Sequence, residues 1–576
     1  MNKLEAIYTE ETNCQDCYKC IRHCPVKAIK IENHSASIIH SQCIFCGKCV
    51  SVCPSGAKKL RNDVQTAKFL LKQSKPVILS LAPSYPVDFD KYTKTQLINV
   101  LKQLGFARVS ETAIGAEILS ARLSEWLSQQ NPGVYLSSCC PSLVHLIQKY
   151  YPDLSAKITP FKSPAQVHAS YLRELYGDVC VIFAGPCIAK KTELSYPDNN
   201  INLALSFQEL DELIQESGLQ PEHINKTKHD SFEPFEAHNG RAYPVDGGML
   251  NSMKPNVAGM DASFMSFSGI ENVKSILSNL PETNNGRLFL ELMTCTGGCI
   301  NGPGRTNDKS IAKNRLQIIE HCEDVNPDTY QLDFDGSIQQ KYNFLKAVNG
   351  NNYPERLIIR TLNDIGKNIE QDELNCGGCG YYTCRQFAKA ILDEKAEPQM
   401  CVSYMRRMAQ NKASILLQKM PYGFVIVDEE LKITEANRLF ASICGPDVVL
   451  AYDAKPGLEG ANISKVTTFS RLFQNLLESG NDRIEKQIQF DNTVLHVSVF
   501  TIQKHKKVCA IVQNPDTGTI SRDHLIEQMQ QLIQENMQTA QKVAGLLGEN
   551  ASKTECAINK IIDSYSGERY EDRYVY

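Results

Sequence analysis

Within residues 1–60 cysteine recurs on a fixed rhythm. Cys14, Cys17, Cys20 and Cys24 run into Pro25, and Cys43, Cys46, Cys49 and Cys53 run into Pro54. Both runs have the spacing CxxCxxCxxxCP, and they lie about 30 residues apart, so the segment is an internal repeat. A tight loop of this spacing wraps three corners of a cubane, while the fourth thiolate comes from the other run. The pattern therefore predicts one 4Fe–4S cluster on Cys14, Cys17, Cys20 and Cys53, and a second on Cys43, Cys46, Cys49 and Cys24. A lone CxxC could serve zinc or a redox dithiol instead. Two complete runs, each closed by proline, read as a ferredoxin-like electron-transfer domain.

The remaining cysteines extend this theme. The chain has 22 of them in 576 residues, most falling in short stretches. In a reducing compartment such residues bind metal or do redox chemistry rather than staple a fold. At about 150 residues per domain the length predicts roughly four domains. A hydrophobic content of 42% with 8% aromatic residues fits globular material. The formal charge of −4 argues against nucleic acid or an acidic membrane as partner. Met1 to Glu5 opens a polar stretch without a signal core, and no apolar run is long enough to span a bilayer. The expected compartment is the cytoplasm.

From Pro76 the texture changes to apolar strands alternating with amphipathic helices. Val77–Leu81 and Val179–Phe183 read as buried strands, and Leu97–Leu104 and Ile118–Leu127 have helical spacing. Such alternation predicts an α/β body over residues 61–365. A cysteine-bearing segment follows at 366–408, then a cysteine-poor region at 409–515. There Phe424–Val427 and Lys432–Thr434 read as a hairpin, with further strands at Val494–Phe500 and Val508–Val512. The tail, 516–576, reads as helical. Leu525, Met529, Leu532, Asn536, Thr539, Val543 and Leu546 alternate at four- and three-residue steps, which suits either a coiled-coil seam in a homodimer or a helix lying on its own domain.

The body offers three patches: Ser137-Ser138-Cys139-Cys140-Pro141, Gly185-Pro186-Cys187 running on to Lys190 and Glu193, and Glu291-Leu292-Met293-Thr294-Cys295-Thr296-Gly297-Gly298-Cys299 with Asn301-Gly302-Pro303-Gly304 behind it. Cys140, Cys187, Cys295 and Cys299 could supply four thiolates from loop ends, and the glycines would let backbone approach a bulky cofactor. Any one patch alone would read as buried core cysteine. Together they resemble the signature segments of iron-only (FeFe) hydrogenases, TSCCPxW, MPCxxKxxE and ExMxCxGGCxxGxG, over roughly residues 1–310. Leu81-Ala82-Pro83-Ser84 and Lys162-Ser163-Pro164 resemble family segments that line the active-site cavity. The resemblance implies that Cys140, Cys187, Cys295 and Cys299 hold the 4Fe–4S half of an H-cluster, with Cys299 bridging to its di-iron half. It implies that Lys190 and Ser84 bind the cyanide ligands and that Cys139 passes protons. The implied chemistry is reversible heterolytic cleavage of hydrogen, with reactivity that belongs to the cofactor.

Three departures stand out. Gly185 replaces the family's methionine before Pro-Cys, and Leu143 replaces its tryptophan. Matching from Gly115-Ala116 sets Leu123 and Trp126 where the family carries proton-relaying glutamates, and neither can relay a proton. Slow hydrogen chemistry or hydrogen detection is the expectation.

Cys376, Cys379 and Cys384, with Cys401 further on, suit one more 4Fe–4S cluster and resemble a Fes-type domain; the competing reading is a Cys₄ zinc site. Pro421–Asp428 and Ile433–Asn437 resemble a PAS domain. Cys180, Cys322, Cys444, Cys509 and Cys556 lack ligand spacing and read as ordinary thiols. The expected fold is thus a multidomain α/β chain: ferredoxin-like 2×4Fe–4S domain, α/β H-cluster domain, Fes-type domain, α+β PAS domain and helical tail. The expected function is a hydrogen or redox sensor. Its partners would be hydrogen and protons, a ferredoxin or other redox carrier, the hydrogenase maturases and a downstream signalling protein. The alternatives are a ferredoxin-dependent catalytic hydrogenase and a non-catalytic iron–sulfur assembly or scaffold protein.

Overall fold

The computed structural model describes residues 5–32, 35–219, 231–257, 259–283, 286–323, 334–408, 420–490 and 493–513. The chain divides into two compact units, one of Met1–Ile358 with Arg385–Glu397, the other of Ile359–Cys384 with Pro398–Tyr576.

The cysteine repeat folds as a repeat. Strands β1 (Ile7–Thr9), β2 (Ile29–Glu32), β3 (Ser35–Ile38) and β4 (Lys58–Leu60) form two antiparallel ribbons, β1 with β4 and β2 with β3. Each half carries a short helix, Lys19–His23 or Lys48–Val52, and the residue ahead of each lies in the left-handed region, Tyr18 at φ 56° and Gly47 at φ 72°. Those turns curl the chain so that successive cysteines point inward on one loop.

The α/β body contains β5 (Val77–Leu81), β6 (Arg108–Glu111), β7 (Gly133–Leu136), β8 (Cys180–Gly185), β9 (Leu203–Ser206), β10 (Ala262–Ser268) and β11 (Arg287–Met293). They form two sheets of orders β6-β5-β8-β9 and β10-β11-β7, every pairing parallel. Parallel strands need helices on both faces, which is why β5 and β8 read as unbroken apolar runs and are buried throughout. The helical spacings at Leu97–Leu104 and Ile118–Leu127 fall in helices Lys94–Gln103 and Thr112–Ser128. Ligands in such sheets gather beyond the carboxyl ends of the strands. Ser84 follows β5, Cys139 and Cys140 follow β7, Cys187 follows β8, and Cys295 and Cys299 follow β11.

Two of the contacts that tie the repeat to this body are an ionic knot and a close packing. A buried ionic knot links the chain leaving β4 to the loop after β8: Lys191 Nζ donates to Asp63 Oδ2 at 2.7 Å and Glu209 Oε1 at 2.8 Å, and Asp63 N also donates to Glu209 Oε1. The second is a close approach. Gly47, between Cys46 and Cys49, lies so tightly against the body that a Cβ there would meet Pro303 Cγ at 2.4 Å and Ile188 Cδ1 at 2.6 Å.

In the second unit a five-stranded antiparallel sheet has the order β13-β12-β16-β15-β14, where β12 is Gly423–Asp428, β13 Ile433–Ala436, β14 Arg483–Phe490, β15 Thr493–Gln503 and β16 Lys507–Gln513. Helices Arg438–Cys444, Pro446–Ala454 and Ser470–Ser479 lie between β13 and β14 in the chain, and Phe440, Phe473, Val425 and Val497 share one core. The hairpin and the strands β15 and β16 match the sequence reading. Strand β14 does not appear in that reading, because an edge strand of Arg483, Glu485, Lys486, Gln487 and Gln489 shows too little apolar alternation. The heptad-like seam from Leu525 to Leu546, and Cys556, lie outside the described residues. Among the described residues no helix is long and apolar enough to cross a membrane.

Gly47→Ala would combine a left-handed backbone with overpacking against Ile188 and Pro303. It is expected to destabilise the first unit by about 1–3 kcal/mol, read as a lowered denaturation midpoint of anaerobic protein; an unchanged midpoint would contradict the close approach.

Candidate functional site

Four cysteine quartets form. Cys17, Cys14 and Cys53 act electrostatically on Cys20, and burial pushes the Cys20 thiol up to about 11. Cys24, Cys43, Cys46 and Cys49 form the second quartet, with Cys43 and Cys46 each pushed by burial up to about 12. Backbone amides already point at these sulfurs: Phe45 N to Cys43 Sγ at 3.3 Å, Ala28 N to Cys24 Sγ at 3.4 Å and Ala36 N to Cys14 Sγ at 3.5 Å. In the second unit Cys401, Cys376 and Cys384 act on Cys379, whose thiol burial pushes up to about 12. Gly377 at φ 69° and Gly380 at φ 93° turn the chain between them.

The fourth quartet assembles from three separate loops. Cys187 and Cys140 neighbour Cys299, and Cys299, Cys187 and Cys140 neighbour Cys295. Burial raises the thiols of Cys187, Cys295 and Cys299, Cys187 to about 11. The loops meet backbone to backbone because glycine allows it. A Cβ on Gly302 would strike Pro186 O at 2.5 Å, and one on Gly298 would strike Pro244 O at 2.3 Å. Gly304 N donates to Pro186 O at 2.9 Å, joining the loop of Cys187 to the loop of Cys299. Among the described residues no three His, Cys, Asp or Glu side chains converge on a point suited to one metal ion. A cubane takes its thiolates at separate corners, so both observations hold together.

Beside this quartet lies an apolar cavity of about 100 Å3, walled by Cys139, Cys140, Cys187 and Cys299 together with Lys190, Ser84, Met249 and Glu291. Lys190 Nζ donates to both carboxylate oxygens of Glu193 at 3.0 and 3.1 Å, and Ser163 Oγ donates to Glu193 Oε2 at 3.0 Å. The Lys190 ammonium is thereby held at the cavity wall with donor capacity left over. Ser84 Oγ is buried and has no hydrogen-bond partner among the described residues. A buried unpartnered hydroxyl, a fixed cation and four thiols around an apolar space fit an anionic, ligand-bearing iron cofactor.

Other expected positions divide. Ala82, Pro83, Ser84 and Pro164 line the cavity, whereas Lys162 turns away and donates to Asp198 O at 3.0 Å. At Gly185 a Cβ would meet the Phe183 ring at 2.6 Å, so Phe183 takes the space a methionine would need. Leu143 and Leu123 are core residues, and the Trp126 ring packs edge-on against Tyr135 and Phe161. Cys180 and Cys509 are buried strand residues.

One residue gains a role that spacing did not assign. Glu291 stands in the buried strand β11 and lines the cavity with Cys139. Burial pushes its carboxyl up to about 7, even though Met249 N and Leu250 N donate to it, both at 3.3 Å. Ser266 lies near Glu291, and its hydroxyl donates to half-buried Asp246. Cys139 itself sits 3.8 Å from Met249 Sδ, its thiol raised by burial.

Comparison with known proteins places these parts. Residues 75–303 match the family "Iron only hydrogenase large subunit, C-terminal domain", residues 6–54 match "4Fe-4S dicluster domain", and residues 372–403 match "Putative Fe-S cluster". The chain is 26% identical over 367 residues to the periplasmic [Fe] hydrogenase large subunit of Nitratidesulfovibrio vulgaris, covering 53% of this chain and 87% of that one. It is 22% identical over 314 residues to iron hydrogenase 1 of Clostridium pasteurianum, covering 44% of this chain and 55% of that one. It is also 25% identical over 171 residues to the cytosolic Fe-S cluster assembly factor NAR1 of Scheffersomyces stipitis, covering 26% and 31%. The chain is therefore a multidomain, FeFe-hydrogenase-like iron–sulfur protein, carrying a dicluster domain and a small Fe–S domain with an iron-only hydrogenase large-subunit domain between them.

Proposed function

We propose that this chain holds an H-cluster on Cys140, Cys187, Cys295 and Cys299, turns hydrogen over slowly and reports hydrogen or redox state through its second unit. The observation that carries the reading is the cavity that Cys139, Lys190 and the unpartnered Ser84 hydroxyl share with the cysteine quartet. When bound, the cofactor would supply reversible heterolytic cleavage of hydrogen. The chain's own residues would do the rest. Lys190, steadied by Glu193, and Ser84 would donate hydrogen bonds to cyanide ligands, and the apolar wall would exclude water. Cys139 would pass the proton outward to Glu291, whose carboxyl near 7 is matched to neutral pH, and Ser266 and Asp246 would carry it toward solvent. This route through Glu291 and Asp246 would replace what Leu123 and Trp126 cannot do.

The quartets of the dicluster domain and Cys376, Cys379, Cys384 and Cys401 would hold three further 4Fe–4S clusters. The antiparallel sheet of 423–513 with its intervening helices supports the PAS reading, and output would go through a partner protein. The reading places the protein in the cytoplasm. A second reading rests on the likeness to the NAR1 assembly factor: a scaffold that holds clusters but no di-iron half. An assembly role gives no reason to keep a buried cation and an unpartnered hydroxyl on one apolar cavity.

Co-expression with hydrogenase maturases followed by hydrogen assays separates the readings. Activity orders of magnitude below energy-metabolism hydrogenases is expected; comparable activity would make the chain a ferredoxin-dependent catalyst, and none would favour the scaffold. Lys190→Ala is expected to lower iron retained at the di-iron site, and full occupancy would contradict its role. Glu291→Gln is expected to cut turnover at least tenfold and to abolish an inflection near pH 7. The same variant tests the burial directly. The folded carboxyl binds its proton more tightly than the unfolded one, so wild-type stability should fall as pH rises from 4.5 to about 7. Denaturation of the variant should lack that slope.

A further inference from the structure

The helix Pro141–Tyr150 joins two of the quartets end to end. Its N-cap is Cys140. At its far end Lys149 Nζ donates to the Cys43 carbonyl at 2.7 Å and to the His40 carbonyl at 3.4 Å, and Tyr150 Oη donates to the Gln42 carbonyl at 2.7 Å. Ten helical residues rise about 15 Å, so one rigid rod connects the quartet of Cys140 to the loop of Cys43.

Lys149 is an unusual residue for that place. It is 5% exposed, and the hydrogen-bond partners of its ammonium are backbone carbonyls rather than a carboxylate. Its Nζ also stands 5.7 Å from the Phe45 ring centroid, and Phe45 lies between Cys43 and Cys46. His145, packed edge-on to the same ring at 5.3 Å, brings no charge, because burial holds its imidazole near 3. Burying a cation without a paired anion is costly. A cluster on Cys24, Cys43, Cys46 and Cys49 would be the closer anion: Lys149 and Cys43 lie within electrostatic reach of each other, and the exposed carboxylate of Glu5 acts on Lys149 more weakly. The quartet of Cys14, Cys17, Cys20 and Cys53 has no contact from this helix but has a buried lysine of its own: Lys58 donates to the Thr9 hydroxyl at 2.6 Å and to the Ala36 carbonyl, and acts on Cys20.

We propose that Lys149 is a positioning residue that sets one cluster's redox level: its charge raises the reduction potential of the cluster on Cys24, Cys43, Cys46 and Cys49, which stands beside the helix that leads to Cys140. A fixed positive charge stabilises the reduced, more negative form of the nearer cluster more than that of the farther one. The proposal rests on the cluster assignment given above.

The test is a potentiometric titration of the full-length anaerobic protein, followed by electron paramagnetic resonance. Lys149→Met should shift one of the two dicluster couples to lower potential, so that its reduced-to-oxidised ratio at the wild-type midpoint falls about tenfold, which is 59 mV for one electron. The other couple should stay in place. Lys149→Arg should keep the wild-type potential, and Tyr150→Phe, which removes a hydrogen bond to the same loop but no charge, should leave both couples unmoved. Should the Met variant fail to accumulate, Lys149→Gln keeps a donor without the charge and must show the same shift. Unchanged couples in Lys149→Met or Lys149→Gln, or an equal shift in Tyr150→Phe, would overturn the role of the charge. Absence of two dicluster signals in the wild type would overturn the cluster assignment, and the proposal with it.

Discussion

A buried thiol stays protonated unless a cation draws off its charge, and this protein buries thiols by the quartet. Burial holds Cys43 and Cys46 near 12 and Cys187 near 11. Such groups become thiolates when a metal centre takes them as ligands. The architecture serves that exchange. Left-handed turns at Tyr18 and Gly47 curl the chain around each quartet of the repeat, and amides of Ala28, Ala36 and Phe45 already face sulfur. Iron–sulfur binding in this chain is therefore part of how the loops are shaped, and folding and cluster loading are expected to be coupled.

The same constraint explains the α/β body. Loops leaving the carboxyl ends of β5, β7, β8 and β11 converge, and glycine at 302 and 304 lets two of them touch through backbone. The cavity that results is largely apolar, with Lys190, Ser84, Cys139 and Glu291 among its polar and titratable groups. Lys191, the neighbour of Lys190, is tied into the ionic knot with Asp63 and Glu209, so the loop that presents one lysine to the cavity is anchored by the next to the end of the dicluster domain. Packing at Gly47 and the helix that links Cys140 to the loop of Cys43 join the dicluster domain to this body.

Much of this is legible in the chain and some is not. The repeat is legible because its ligands are local: spacing alone sorts Cys14, Cys17, Cys20 and Cys53 from Cys43, Cys46, Cys49 and Cys24. Buried parallel strands announce themselves as apolar runs at Val77–Leu81. Cys140, Cys187, Cys295 and Cys299 lie too far apart in sequence for spacing to join them, and only likeness to a family does so. Glu291 and Lys149 escape for a common reason. A lone charge in a sequence reads as solvated, and whether it is buried depends on elements far along the chain: Met249 and Leu250 for Glu291, Cys43 for Lys149. Strand β14 escapes because edge strands carry the polar pattern of a loop. Leu123 and Trp126 lie on the helix that the matching indicates, Leu123 in the core and Trp126 edge-on against Tyr135 and Phe161.

The central claim is that the cavity beside the fourth quartet holds a di-iron group with diatomic ligands. Infrared spectroscopy of protein made with the hydrogenase maturases tests it most directly, because CO and cyanide bound to iron absorb where protein does not. The account predicts bands from both ligands, shifting when hydrogen is added. A protein that carries its 4Fe–4S clusters under those conditions yet shows no such bands would contradict it.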